Sequence, residues 1–96
     1  MKISILAPAR FDLIDGYWFY EEQQTGLGDQ FVESIFADID SLLITAGIHF
    51  VLFGKHRMIA SKFPYSIFYL VGSNEVRIHA VLDNRRDPSW ISDRLG

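Results

Sequence analysis

The chain has 96 residues, 49% of them hydrophobic, with no cysteine and a formal net charge of -3. This length favours one domain with a single core, predicted to span residues 1–96, and the lack of cysteine excludes disulfide frameworks, thiolate metal sites and cysteine nucleophiles. No apolar run approaches the roughly 20 residues that cross a bilayer, so we expect a cytoplasmic protein with no membrane contact.

The charge is distributed unevenly along the chain. Residues 1–47 carry two basic and eight acidic side chains, a net charge of -6, whereas residues 48–96 carry seven basic and four acidic ones, a net charge of +3. Such asymmetry indicates a charged partner for one half, unless the acidic residues only form the solvated faces of helices.

The first predicted elements are a strand and a helix. The segment from Lys2 to Leu6 alternates weakly and is predicted to join a later sheet, and Pro8 ends it. A helix is predicted from Ala9 to about Gln23, and Gly16 inside it would let a neighbouring element approach closely. Its apolar residues form two stripes, Phe11, Ile14 and Trp18 on one and Leu13, Tyr17 and Tyr20 on the other. We therefore expect this helix to be covered on two sides.

A second amphipathic helix is predicted from about Gly28 to Ala46. Its apolar side chains recur at spacings of four and three, namely Phe31, Ile35, Ile39, Leu42 and Ala46. Gly47 is a suitable residue just past its end. The short link between the two helices favours an antiparallel pair whose shared apolar face lies on a sheet.

The segment from Ile48 to Phe53 is either a further strand or an apolar connection to the sheet. A turn at Gly54 to His56 and a strand from Arg57 to Lys62 are predicted to follow. Pro64 then marks the entry to another strand, because proline is tolerated at a strand's first position.

The strongest strand signal runs from Tyr65 to Val71, a stretch of aromatic and β-branched residues. The residues from Gly72 to Glu75 favour a tight turn, and a returning strand is predicted from Val76 to Leu82. The two-residue period puts Val76, Ile78, Ala80 and Leu82 on one face and Arg77, His79 and Val81 on the other. Pro88 is predicted to open a short last helix that reaches Leu95.

These elements predict an α+β fold in the order β-α-α-β-β-β(-β) with a short C-terminal helix. An antiparallel helix pair would cover one face of a mostly antiparallel sheet. Several cations are expected on the uncovered face, Arg57, Lys62 and Arg77 together with His79, and Arg85 and Arg86 are expected at its end. Arginine binds phosphate or carboxylate bidentately, so this face would suit RNA or an acidic protein segment; the alternative is scattered surface charge.

The sequence resembles the RelE/ParE toxin superfamily of bacterial toxin-antitoxin modules. The resemblance rests on the segment from Lys62 to Tyr69, the segment from Val81 to Pro88, and Trp90. The Gly-Leu-Gly-Asp segment from Gly26 to Asp29 resembles the start of the second helix in these toxins. The match is closest to the ParE-like, plasmid-stabilisation branch and covers nearly the whole chain.

The ParE-like resemblance implies a protein that blocks DNA gyrase by contact and is silenced by a cognate antitoxin. The residues it suggests for target binding are Arg57, Lys62, Arg77, Arg85, Arg86 and Trp90. Alternatively, Arg85 or Arg86 pairs with a neighbouring aspartate and Trp90 packs the last helix. Many relatives have histidine and glycine where this chain has Asp83 and Asn84, and the added carboxylate would neutralise the arginines.

Resemblance to the RelE branch implies a different activity, ribosome-dependent cleavage of messenger RNA. Lys62, Arg77 and Arg85 would then perform catalysis, with His79 or His49 transferring protons unless these histidines are structural. The acidic net charge disfavours docking to ribosomal RNA. A third possibility is a non-toxic relative that binds an antitoxin. No metal or cofactor is expected, and both a homodimer and a hetero-oligomer with the antitoxin remain open.

Overall fold

A computed structural model describes residues 1–96. Its elements follow in the order β1 (Lys2–Ile5), α1 (Ala7–Glu21), α2 (Leu27–Thr45), β2 (Val51–Leu52), β3 (Lys55–Ile59), β4 (Tyr65–Gly72), β5 (Glu75–Asp83) and α3 (Pro88–Leu95). The sheet order is β1-β5-β4-β3-β2, antiparallel except that β1 runs parallel to β5. The predicted α+β arrangement is confirmed.

The two central strands, β4 and β5, form the hairpin that the sequence predicts. Asn74 in its turn has a φ of 56°, the left-handed conformation that asparagine tolerates. Ile67, Tyr69 and Val76 on these strands are fully buried against the helices. The aromatic and β-branched composition of β4 therefore corresponds to a strand in the middle of the core.

The helix pair packs on one face of the sheet through a small set of tightly fitted residues. Phe31 of α2 is fully buried and its ring lies 4.8 Å from that of Tyr65 and 5.2 Å from that of Tyr20. A Cβ added at Gly16 of α1 would lie 2.5 Å from a ring carbon of Phe31. The close approach predicted at Gly16 is confirmed, because only glycine leaves space for this ring.

Only one of the two apolar stripes on α1 is buried. The residues of α1 that face the core are Ala9, Leu13, Gly16 and Tyr20. Phe11, Ile14 and Trp18 are exposed, so the expectation of a helix covered on two sides was wrong. The sheet and α2 together meet one stripe, and nothing in this chain covers the other.

A β-bulge at His79 divides β5 between the two faces of the sheet. In the pairing of β4 with β5, one extra β5 residue is accommodated at this point. The core beneath the helices includes Val76, Ile78 and Val81, whereas Ala80 and Leu82 face the opposite side. The prediction that Val76, Ile78, Ala80 and Leu82 share one face was wrong, because the inserted residue shifts the two-residue period by one position.

The second face of the sheet is not uncovered as the sequence suggests. Leu95 and Ile91 of α3 pack on a smaller apolar cluster formed by Phe68, Ala80 and Leu82. Lys55 on β3 also donates to the carbonyl of Leu95 at 2.9 Å. The last helix therefore covers part of the face on which cations were expected.

The β2–β3 hairpin differs from the sequence prediction in its boundaries. Phe53 and Gly54 form its turn with φ values of 54° and 81°, and Lys55 already pairs with Leu52. The strand predicted at Arg57 to Lys62 thus begins two residues earlier and ends three residues earlier, and the turn predicted at Gly54 to His56 begins one residue earlier. The sequence signal failed because phenylalanine rarely adopts a positive φ.

Candidate functional site

Arg57 lies at one end of the sheet face opposite the helix pair, where side chains from the neighbouring strand and from the chain just after β5 hold it. Its Nε donates to Ser66 Oγ at 2.8 Å and its Nη2 donates to Asn84 Oδ1 at 3.1 Å. The Ser66 hydroxyl is fully buried and donates to the same Asn84 oxygen. These bonds orient the guanidinium toward the start of the Arg85-Arg86 segment.

Arg85 forms a bidentate pair with Asp83, the nearest preceding carboxylate. Its Nε and Nη2 donate to the two carboxylate oxygens at 2.9 and 2.6 Å, and its backbone N–H donates at 2.8 Å. The Arg85 side chain lowers the pKa of Asp83, and the same contact raises the pKa of Arg85. One alternative from the sequence is therefore confirmed, since the added carboxylate compensates this arginine.

Arg86 stacks on the indole of Trp90. The guanidinium carbon lies 4.2 Å from the ring centroid, within the range of a cation–π contact. Asp87 caps α3 by accepting the backbone N–H of Ser89 at 2.8 Å, and Pro88 opens the helix, so Trp90 stands in its first turn. The indole is 38% exposed and presents a cationic aromatic surface. Arg85, Arg86 and Trp90, with Arg57 linked to this segment through Asn84, are named here the chain-end cluster.

A cleft of about 520 Å³ separates α1 from the end of β5 and from α3. Its charged lining comprises Asp12, Asp15, Asp83, Arg86 and Arg94. Two of the three carboxylates are bonded to arginines, Asp12 to Arg94 and Asp83 to Arg85. The cleft therefore lacks a free acid and base facing each other across a substrate-sized space.

Two of the predicted site cations lie away from the chain-end cluster. Lys62 is in the β3–β4 connection and shares a surface depression with Glu33 and Ser34 of α2. Arg77 is on the sheet face opposite the helix pair but near the other end of β5, where it pairs with Glu75 at 3.7 Å. The cations predicted to share one face are thus brought together only in part.

His79 occupies the β-bulge and is poorly placed to transfer protons. Its Nε2 is buried without a hydrogen-bond partner. Burial lowers its pKa first, and the positive charges of Lys55 and Arg77 lower it further. A neutral, half-buried imidazole at a bulge is a structural feature of this strand.

His49 also forms part of the packing. Its Nδ1 is hydrogen-bonded to the hydroxyl of the fully buried Tyr69, and burial lowers its pKa. The Tyr69 hydroxyl accepts the backbone N–H of Gly47 at 3.0 Å. This histidine therefore anchors the segment that follows α2.

An apolar groove of about 330 Å³ runs over the exposed side of the helix pair. It is lined by Arg10, Leu13, Ile14, Tyr17 and Trp18 of α1 and by Val32 and Phe36 of α2. Trp18 is 55% exposed in this groove, an unusual position for a large aromatic residue. The exposed apolar stripe of α1, formed by Phe11, Ile14 and Trp18, was the sequence signal for this surface. The surface is named here the helix-pair groove.

Metal chemistry and membrane spanning find no support in the structure. No group of three or more histidine, aspartate or glutamate side chains is placed to hold a metal ion. None of the three helices combines the length and the apolar character needed to cross a membrane.

The fold is similar to that of a protein from a toxin-antitoxin system. A chain in the solved structure of the chromosomal ParDE toxin-antitoxin system from P. aeruginosa superimposes with a TM-score of 0.76 and 20% identity, covering 84% of this chain and 92% of that chain. No family model matches the sequence. No curated protein matches it. The resemblance predicted from the sequence is confirmed at the level of the fold.

Proposed function

We propose that this protein is the toxin of a type II toxin-antitoxin, plasmid-stabilisation module of the ParE-like kind. It acts in the cytoplasm by binding, inhibits DNA gyrase, and is neutralised by a cognate antitoxin. The observation that carries the proposal is a pair of separate surfaces, the apolar helix-pair groove and the cationic chain-end cluster. The shared fold with a chain of a ParDE system supports it.

The helix-pair groove is the proposed antitoxin site. Its lining is almost wholly apolar, with Arg10 as the one charged residue. Trp18 and Phe36 supply aromatic surface of the kind that dominates binding hot spots. An amphipathic helix of the antitoxin would place its apolar side chains in this groove and its polar side chains toward solvent.

The chain-end cluster is the proposed gyrase site. Arg57 is oriented by Ser66 and Asn84, and Arg86 is presented on the face of Trp90. Such preorganised guanidinium groups suit an acidic protein surface, because little side-chain freedom is lost when they bind. Lys62 and Arg77 lie elsewhere and do not belong to this surface.

The ribonuclease alternative has less support. It requires a general acid and a general base beside the cations, whereas the Nε2 of His79 is buried and Arg77 pairs with Glu75 at the far end of β5. The non-toxic alternative is favoured by one observation, the neutralising contact of Asp83 with Arg85. In that case the helix-pair groove would still bind an antitoxin.

The test is a supercoiling assay with purified gyrase. The wild-type chain should inhibit supercoiling. The cognate antitoxin, which we expect to be encoded by a small open reading frame adjacent to the gene of this chain, should restore it. Arg86→Ala should weaken inhibition by about tenfold, which corresponds to the loss of about 1.4 kcal/mol of ionic contact with the target. Arg77→Ala is the matched control, because this arginine is exposed but lies outside the cluster.

The other possible results of these assays each favour a different function or exclude the proposed gyrase site. Unchanged supercoiling together with new cleavage sites in translated messages, detected by primer extension, would indicate the ribonuclease. Unchanged supercoiling with intact messages and no growth defect would indicate the non-toxic relative. Equal losses in Arg86→Ala and Arg77→Ala would remove the chain-end cluster from the proposal.

A further inference from the structure

A second apolar surface surrounds β2, at the edge of the sheet away from β1. Its most exposed side chains are Phe50 at 92%, Ile48 at 75% and Val51 at 63%. No charged residue occurs between Ser41 and Gly54. Natural edge strands are protected against pairing with another chain by charges, proline or shortness; β2 has no charge and no proline, and only its length of two residues limits such pairing.

The hydrogen bonds of β2 show which of its backbone groups are free. Phe50 accepts the backbone N–H of Arg57 at 2.8 Å, and Leu52 pairs with Lys55 next to the two-residue turn. Alternate residues of an antiparallel strand direct their backbone groups to opposite sides. The N–H and C=O of Val51, between these two residues, therefore point away from β3 toward the open edge.

We propose that two copies of this chain associate through β2, antiparallel and edge to edge, about a two-fold axis at Val51. The Val51 N–H of each copy donates to the Val51 C=O of the other, which joins two five-stranded sheets into one. Phe50 of one copy lies opposite Leu52 of the other on the same face. The contact is isologous, because the same residues contribute on both sides.

Area and charge favour a second copy as the occupant. Phe50, Ile48 and Val51, with the less exposed Leu52 and Phe53, present on the order of 500 Å² of apolar surface per copy, which is enough for a small, weak interface of about 1,000 Å² in total. Each copy carries a net charge of -3, yet this uncharged surface brings no like charges together. A self-pairing strand also needs no matching sequence in another protein.

The proposal is tested by sedimentation equilibrium of the purified chain alone, at tens of micromolar. We expect twice the monomer mass of 11.0 kDa. Val51→Lys and Val51→Glu should each be monomeric, because like charges would face each other at about 5.5 Å across the axis. An equimolar mixture of the two variants should recover the dimer. Val71→Lys, at an exposed valine of β4, is the matched control and should remain dimeric.

Every other outcome counts against the β2 contact. A monomeric wild type, or a mixture no more associated than either variant, overturns it. A monomeric wild type whose binding to the product of the adjacent reading frame is lost in Val51→Lys would assign the edge to that partner instead. Phe50→Ser supplies a second, uncharged test, and its cooperative unfolding verifies that the fold is intact. The result is independent of gyrase inhibition, which is measured separately.

Discussion

Arg94 in α3 donates to Asp12 in α1 at 2.6 Å, and the same carboxylate oxygen accepts the backbone N–H of Val81 at 3.0 Å. The Asp12 side chain thus joins α1, α3 and the part of the β5 edge that does not pair with β1. Burial raises the pKa of Asp12 more than the Val81 amide and Arg94 lower it. Asp12 therefore depends on both contacts to remain charged inside the fold.

Loss of the Arg94 side chain should destabilise the protein. Arg94→Ala leaves a largely buried carboxylate with one fewer partner, so we expect the free energy of unfolding to fall by about 1–3 kcal/mol. Urea denaturation measures this change. Lys2→Ala, which removes a 3.9 Å pair on an exposed lysine, should change it by less than about 0.5 kcal/mol. Equal effects of the two substitutions would contradict the role assigned to Asp12.

Stability should fall as the pH drops below about 6.5, because two histidines have lowered pKa values in the folded chain. Burial, Lys55 and Arg77 lower the pKa of His79 below its ordinary value of 6.5, so the unfolded chain binds more protons in this range. The stability given by neutral His79 is present above about pH 6.5 and is lost as the pH falls through the lower folded value. His79→Gln should reduce this slope in thermal melts, with His49 supplying the remainder. An unchanged slope would exclude His79 as the cause.

Release of Arg85 should increase activity. Asp83→Asn removes the carboxylate charge that compensates this arginine, and it gives the chain-end cluster another free cation. We expect the concentration for half-inhibition of gyrase to fall by up to about fivefold, corresponding to about 1 kcal/mol. Asp87→Asn is the control, because Asp87 caps α3 and forms no pair with Arg85. A loss of inhibition in Asp83→Asn would mean that the pair holds Arg85 in its active position.

A methyl group at position 16 should be harmful despite the higher helix propensity of alanine. The added Cβ of Gly16→Ala would overlap the ring of the fully buried Phe31, so we expect a loss of about 1–3 kcal/mol after the helix gain of about 1 kcal/mol is included. Chemical denaturation measures the loss. Asp15→Ala at the neighbouring position should stay within about 0.5 kcal/mol of the wild type. A stabilised Gly16→Ala would show that Phe31 can move away.

The sequence predicted an element well where a single pattern of spacing or composition ran through the whole element. The apolar spacing of α2 and the composition of β4 each determined an element within one or two residues of its observed ends. The prediction failed at His79, because a bulge inserts one residue without a local sequence signal, and at Phe53, because a phenylalanine takes the positive φ that the two-residue hairpin turn requires.

The surfaces were harder to predict than the fold. The contact of Arg85 with Asp83 is local and was foreseen as an alternative, whereas the network of Arg57 with Asn84 joins residues 27 positions apart. A stripe of apolar residues shows that a helix face avoids water but not whether this chain covers it. Trp18 was therefore expected on a covered face of α1 and lies in an open groove.

The central claim is that the helix-pair groove binds the antitoxin and the chain-end cluster binds gyrase. Colony counts after induced expression test this claim most directly. Wild type should prevent colony formation, and co-expression of the adjacent reading frame should restore it. Trp18→Glu should remain lethal with or without that partner, whereas Arg86→Ala with Trp90→Ala should be harmless yet still co-purify with it. A Trp18→Glu variant rescued as fully as the wild type, or a harmless wild-type chain, would contradict the claim.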